Sequence, residues 1–326
     1  MIIKQSFRFL FKLFSSTFVQ SASENNYMIT FKDIELEDRE LINSQLQSQN
    51  YRASDLCFTN LYAWGKKFNT QFAVANDWLL IRFKDNNGRN SYLKPIGTGD
   101  IKEGIEIILE DHKQFDSIFQ IRGMTKDMIE EVELAFPNKF DYKLNLSVSD
   151  YIYTVDKLRD LKGKKLQPKR NHINRFNREN EWKYKSLTNN PELVKECRIM
   201  LDKWMELNIE EKDPSLIHDD FATNIMLENF DRLNLRGGLI CVDNQIVAFS
   251  IGEPLTKDTI VVHVEKAFTS IHGAYTIINQ QFAENETEGF TYINREEDMG
   301  VENLRRAKQS YHPDILLEKY NARFKV

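Results

Sequence analysis

A histidine and several carboxylates gather near the ends of apolar runs in the second half of this 326-residue chain. In the run at 259 to 265, period-two alternation predicts Val261, His263 and Glu265 on one face of a strand and Ile260, Val262 and Val264 on the other. Histidine titrates near neutrality, and a carboxylate two residues on can relay its proton. The pair suits a base acting on an attacking amine or hydroxyl, and it equally suits a half-exposed face satisfied by its neighbours. A strand predicted at 290 to 294 ends in Asn294, Arg295, Glu296, Glu297 and Asp298, and Gly300 supplies the turn into a helix carrying Arg305, Arg306 and Lys308. Ligands of open α/β sheets lie just beyond strand carboxyl ends, where this charge collects. Arg305 and Lys308, three apart, share a helix face and can hold a phosphate or carboxylate together. A capped, salt-bridged helix end would use the same residues without a substrate.

Charge is strongly segregated. Residues 157 to 185 hold eleven Lys and Arg against three acids, a local charge of +8 in a chain of net charge −5, which leaves −13 for the rest. Such a block repels itself unless an anion sits on it, so it points to a phosphate-bearing partner, with a solvated helix face as the bland alternative. Pro168 fits the first turn of a helix, in which Lys169, His172 and Phe176 follow at helical spacing beside a row of Arg170, Asn174 and Arg178. Basic side chains next to Asn, His and Phe can clamp phosphates and stack on unpaired bases, as at a tRNA acceptor end. A lipid phosphate or the pyrophosphate of CoA would meet the same groups.

The elements that must position these residues come from a chain long enough for two domains. Cys57, Cys197 and Cys241 are odd in number and widely spaced, which fits neither a disulfide framework nor a CxxC site and sets a reducing, cytoplasmic location as the default. The six histidines include no pair at i, i+4, so no metal site is legible, and there is no GxSxG elbow. No stretch approaches the roughly 20 apolar residues of a membrane span. Phe7, Leu10, Phe11, Phe14 and Phe18 recur at helical spacing in the first 27 residues, with Arg8 and Lys12 opposite. That segment reads as an extension outside the fold, or as a short basic amphipathic helix on an anionic membrane surface.

The order of elements occurs twice. The second half reads as strand 182 to 187, two helices, a hairpin of runs 238 to 242 and 246 to 251 joined through Asp243, Asn244 and Gln245, strand 259 to 265, helix 273 to 284, strand 290 to 294, helix 301 to 309 and strand 315 to 320. The first half repeats it from strand 29 to 34 to strand 142 to 153. The expected fold is therefore mixed α/β in two copies, residues 28 to 155 and 156 to 326, the second entered through the basic segment.

That order resembles the GNAT acyltransferase fold in its doubled form. The stretches LKGKKLQPKRNHINRF (161 to 176), VEKAF with GAYTIINQQFA (264 to 283) and TYINREEDMGVENLRRAKQSYHP (291 to 313) are similar to the family of the phosphatidylglycerol lysyltransferase C-terminal domain. The wider superfamily moves amino acids from aminoacyl-tRNA to lipid headgroups or peptidoglycan precursors. The resemblance implies an acyltransferase, with Glu296, Asp298, Arg305 and Lys308 as functional rather than merely capping. GNAT enzymes seat the phosphates of acyl-CoA on a Gly-rich turn opening a helix. Here that turn is Ser270–Tyr275, lacking the usual cation and second small residue, although Gly273 leaves room for close approach; in the first copy Lys94 to Gly99 has better spacing.

Together these readings give an acyl-group transferase, foremost aminoacyl transfer from aminoacyl-tRNA to an amine or hydroxyl, with a lipid headgroup as one acceptor. His263, Glu265, Glu296 and Asp298 are the catalytic candidates. Lys164, Lys165, Lys169, Arg170, Arg175, Gly273, Arg305 and Lys308 are the donor-binding ones, with no metal expected. An acyl-CoA-dependent N-acyltransferase is the alternative enzyme, and a non-catalytic module binding RNA or anionic lipid is the alternative of another class. A lipid acceptor would bring the chain to the inner membrane surface.

Overall fold

The computed structural model describes residues 29–208 and 214–325, so the N-terminal extension lies outside the described residues. Two compact units emerge, each around one seven-stranded mixed sheet. The first contains β1 (Lys32–Asp33), β2 (Gln71–Ala75), β3 (Trp78–Lys84), β4 (Asn90–Tyr92), β5 (Gln120–Met124) and β6 (Phe140–Leu144). The second contains β7 (Asp150–Thr154), β8 (Trp182–Ser186), β9 (Arg236–Val242), β10 (Gln245–Pro254), β11 (Thr259–Ala267), β12 (Tyr292–Asn294) and β13 (Ile315–Leu317), and β14 (Tyr320–Phe324) returns to the first sheet.

The first sheet runs β1-β2-β3-β4-β5-β14-β6 and the second, read in the same sense, β8-β9-β10-β11-β12-β7-β13. In both, the fourth and fifth strands are parallel and the first four are paired antiparallel. The doubled GNAT-like order is thus present, with one correction. The sixth place in each sheet is filled from the other half of the sequence. The division lies not at 155/156 but leaves Asn50–Lys67 and Lys143–Tyr320 in the second unit, with Phe68–Tyr142 and the residues from Asn321 in the first. The cause is local. The strand expected at 142 to 153 breaks at a short 3-10 turn, Leu146–Val148, closed by Ser149 Oγ donating to the Asn145 carbonyl at 3.1 Å. No Gly or Pro marks that break, so alternation reads through it.

The second unit shows why its elements form. Asp243 and Asn244 take φ of 48° and 64°, the left-handed pair a two-residue hairpin needs. Helix Ala274–Asn285 buries Ile277, Ile278, Phe282 and Ala283 against Ile240, Ile260, Val262 and Ile293. Helix Gln167–Glu179, with Pro168 in its first turn as expected, places Ile173 and Phe176 in the same core. Phe176, wholly buried, contributes about 2 kcal/mol by leaving water, enough to hold an otherwise polar helix in place. Among the described residues no helix is long and apolar enough to cross a membrane.

Candidate functional site

The parallel strands β11 and β12 pair only over Thr259–Tyr292, Ile260–Ile293 and Val261–Asn294. Beyond that point β11 runs on to Ala267, while the other chain turns away: Arg295 N donates to the Tyr151 carbonyl at 2.9 Å and Tyr151 N to the Glu296 carbonyl at 3.1 Å. The turn is strained, with Glu296 and Met299 at φ of 58° and 50°. Ionisable side chains line this divergence.

His263 and Glu265 do not share a face. In the β10–β11 ladder Ile251 pairs with Val264 and Gly252 with Val262, so His263 is the extra residue of a bulge. The bulge resets the alternation. Ile260, Val262, Glu265 and Ala267 look toward helix Ala274–Asn285, as the core cluster and the Asn279–Glu265 bond require. Lys266 turns the other way, to Asp219 and the ring of Trp204. His263 lies on that other face, its side chain wholly buried between Glu296, 2.8 Å from Nδ1, and Glu253, 3.1 Å from Nε2. Burial opposes protonation of the ring, but the two carboxylates outweigh it and raise its pKa to about 9. An imidazolium cannot accept the proton the sequence reading assigned to it. Glu296 is likewise engaged, accepting from Asn60 Nδ2 at 2.7 Å as well as facing the ring.

Glu265 anchors a different group. Arg295 Nη2 donates to its Oε1 at 2.9 Å and Asn279 Nδ2 to its Oε2 at 3.0 Å. Each donor leaves one polar atom unmet: Arg295 Nη1 and Asn279 Oδ1 are buried without a hydrogen-bond partner. From helix Gln167–Glu179 the Lys169 ammonium sits 4.0 Å from the centre of the Tyr311 ring, over whose face Arg295 also lies at 5.0 Å. Burial and the Arg295 charge lower the Lys169 pKa to about 8, partly offset by Glu265.

The basic segment divides by direction. Lys164 and Lys165 are exposed and, among the described residues, have no carboxylate at ion-pair distance. Arg170 instead donates to the carbonyls of Leu161 and Gly163, bracing the loop before its helix, and Arg175 is committed to Glu179 at 2.8 and 2.9 Å.

Three further expectations are corrected. Asp298 is saturated by Arg305 at 2.8 and 3.0 Å, Tyr151 at 2.7 Å and the Gly300 amide at 2.8 Å. Burial pushes its pKa up, but these donors hold it below the usual carboxylate range, so it is a clamp and not a base. Lys308 is buried and donates to the carbonyls of Arg295 and Glu297, tying down the strained turn, and so does not join Arg305 in an anion site. At Gly273 the close approach is made by the chain itself. A Cβ there would lie 2.8 Å from the His172 carbonyl, and His172 Nδ1 meets His272 Nε2 at 2.8 Å, so helix Gln167–Glu179 covers the turn where CoA phosphates would sit. In the first unit Gly97 and Gly99 make room for the Trp78 indole, and Lys94 is paired with Glu131 at 2.6 Å.

The sequence profile of the phosphatidylglycerol lysyltransferase C-terminal family matches residues 47–323. The chain belongs to this family. A crystal structure of a conserved protein of unknown function from Bacteroides thetaiotaomicron is 40% identical, covers 91% of this chain and all of that one, and superposes with a TM-score of 0.86. L-PGS from Bacillus licheniformis shares the fold at 18% identity and a TM-score of 0.60, over 88% of this chain and 92% of that one. An uncharacterized protein of Mycoplasmoides gallisepticum, MYCGA3080, is 23% identical over 225 residues, 64% of this chain and 67% of its own length.

In this phosphatidylglycerol lysyltransferase-like chain several site residues carried no usable sequence signal. Cys57 and Asn60 share one segment while Glu253 and Asn279 come from two others, and each reaches its partner only in the fold, Cys57 and Glu253 at His263, Asn60 at Glu296 and Asn279 at Glu265. Glu297 had a signal, its place in the acidic run, but no distinguishing mark. In the structure it is the acid of that run whose carboxyl makes no hydrogen bond, and burial together with Glu296, Asp150 and Asp55 raises its pKa against the pull of Lys319.

Proposed function

We propose that the chain transfers an aminoacyl group from aminoacyl-tRNA to a hydroxyl or amine, with a lipid headgroup as acceptor. The observation that carries this reading is the pair of unmet atoms flanking Glu265. Buried polar atoms are normally satisfied, so an orphan donor and an orphan acceptor on the two groups that hold one carboxylate suit a ligand that brings both complements. An aminoacyl ester does: its carbonyl oxygen accepts from Arg295 Nη1, and its α-ammonium donates to Asn279 Oδ1. An acetyl group offers only the first, and the covered turn at Gly273 argues against CoA as carrier.

The remaining parts follow. Lys164 and Lys165 meet the donor's phosphates. The Lys169 amine, with its lowered pKa, is part unprotonated near neutrality and takes the proton of the attacking group. As the acceptor bonds to the ester carbonyl, the bond to the tRNA 3′ oxygen breaks and that oxygen receives the proton from Lys169. Arg295 Nη1 meets the charge that develops on the carbonyl oxygen.

The test is single-turnover transfer from a panel of aminoacyl-tRNAs to phosphatidylglycerol vesicles, alongside the same tRNAs with the α-amine acetylated and a panel of acyl-CoAs. Free-amine donors are expected to react at least about tenfold faster than acetylated ones, and Asn279→Leu to erase that preference. Equal use of both donors, or turnover with CoA esters alone, would overturn the reading. Tight tRNA binding with no transfer to any acceptor would favour the non-catalytic module.

A further inference from the structure

On the face of β11 opposite Glu265, three potential ligands of different chemistry converge from three segments. Cys57 caps the N-terminus of helix Phe58–Ala63, Glu253 lies near the end of β10, and His263 is the bulge residue of β11. The Cys57 sulfur, a Glu253 oxygen and a His263 ring nitrogen all lie within 4.8 Å of one another. All three are withdrawn from water, Cys57 to 5% exposure, Glu253 to 6% and the His263 side chain to zero.

The surroundings are those of a metal ligand set. Glu296 sits 2.8 Å from Nδ1 and is itself held by Asn60 Nδ2 at 2.7 Å, so one ring nitrogen is fixed by a braced carboxylate while Nε2 faces Glu253, with the Cys57 sulfur, which donates to the Ser54 carbonyl at 3.3 Å, in the same cluster. A carboxylate behind a metal-bound histidine sets both its tautomer and its orientation. Nε2 and Glu253 Oε1 are now 3.1 Å apart. Two such ligands on a tetrahedral zinc ion stand roughly 3.4 Å apart, from bond lengths of about 2.0–2.2 Å, so little movement is needed. Charge is compatible with a cation: a thiolate, a carboxylate and a neutral imidazole sum to −2, which a divalent ion cancels, leaving the outer carboxylate of Glu296 as the one negative charge, as it would be with a proton on the ring.

We propose that Cys57 Sγ, Glu253 and His263 Nε2 bind one divalent cation of the zinc class, with Glu296 as the outer carboxylate and a fourth coordination position open. The site ties the segment 50–67 to β10 and β11 inside the second unit. It stands on different residues from the aminoacyl pocket, and the two readings fail independently.

The test uses the full chain, stripped with chelator and titrated with Co²⁺ and then Zn²⁺. One equivalent of Co²⁺ is expected to bind with a sulfur-to-cobalt charge-transfer band and tetrahedral d–d bands, displaced by Zn²⁺, and Zn²⁺ should raise the melting temperature. Cys57→Ser should abolish the charge-transfer band while Cys197→Ser retains it, and Glu296→Gln should weaken binding about 10- to 100-fold. Absence of stoichiometric binding by the parent chain, or a band that survives Cys57→Ser, would overturn the proposal. Neither result requires a variant to be active.

Discussion

The two sheets have the same strand order and differ in what surrounds the place where their fourth and fifth strands run parallel. In the first unit the acid at that place is fully met. Tyr92 of β4 packs against His112 and Phe119, its hydroxyl donates to Asp111 at 2.6 Å, and Arg82 reaches both oxygens of Asp111 at 3.1 and 3.0 Å. Gln114 completes the set at 2.9 Å, so the buried acid spends all its acceptor capacity on its own neighbours. In the second unit the acid is Glu265, and its partners Arg295 and Asn279 are each left with a buried atom unmet. Charge is common to both places, and so are unmet buried atoms, Ser91 Oγ, His112 Nδ1, Gln120 Nε2 and Arg122 Nε in the first unit. What separates them is the acid's own partners, which are fully used around Asp111 and left with spare atoms around Glu265, where a ligand can complete them.

This contrast can be broken most directly at Lys169. Replacing it with Met is expected to slow transfer about 10²–10⁴-fold, the usual share of a general base, while tRNA affinity, spread over several cations, changes little. Single-turnover rates beside equilibrium binding decide it, and a loss confined to affinity would end the contrast.

Lys319 tests buried charge that is complete. It is wholly buried between Asp150 at 2.7 Å and Asp55 at 2.5 Å, so Lys319→Met should destabilise the fold by about 3–5 kcal/mol in urea denaturation. In the first unit, Tyr92→Phe removes one of several donors to Asp111 and should lower stability by about 1 kcal/mol with transfer unchanged. A matching fall in transfer would show that the first unit is more than scaffold.

The last effect is one of pH. Lys169 titrates near 8 in the folded chain against 10.5 for a free lysine. Between those values the unfolded chain keeps a proton that the folded chain has released, so stability rises with pH across the window, and below pH 8 the burial penalty is fully felt. Lys169→Met should therefore be more stable than the parent at pH 7, with the advantage shrinking as pH climbs toward 10.5. A gap independent of pH would mean that the amine is better solvated than its place over Tyr311 implies.

Much of the fold was legible because it rests on local pattern. The doubled element order, the hairpin at Asp243 and Asn244, and the helix begun at Pro168 all follow from short-range signals. The site was legible in part. The acidic run after β12 and the inward lysine were visible as charge, but their partners were not. Period-two alternation put His263 beside Glu265, and one extra residue in β11 moved them to opposite faces. Nothing in the sequence announces that bulge, because His263 sits among β-branched residues that favour any strand. Cys57 looked solitary because Glu253 and His263 lie about two hundred residues away in the sequence. Arg305 and Lys308 share a helix face as spacing requires, yet spacing does not say whether such a face meets solvent or a strained turn of the chain itself.

The exchanged strands have a consequence for the order in which the molecule can be completed. β14, residues Tyr320–Phe324, lies between β5 and β6 in the first sheet. A chain emerging from the ribosome therefore finishes β6 long before the strand that must sit beside it exists. Until residues 320–324 are made, the first sheet is held open with two unpaired edges, and its final closure coincides with that of the second. A cut between β6 and β7 leaves every strand of the second sheet in place but takes β14 from the middle of the first.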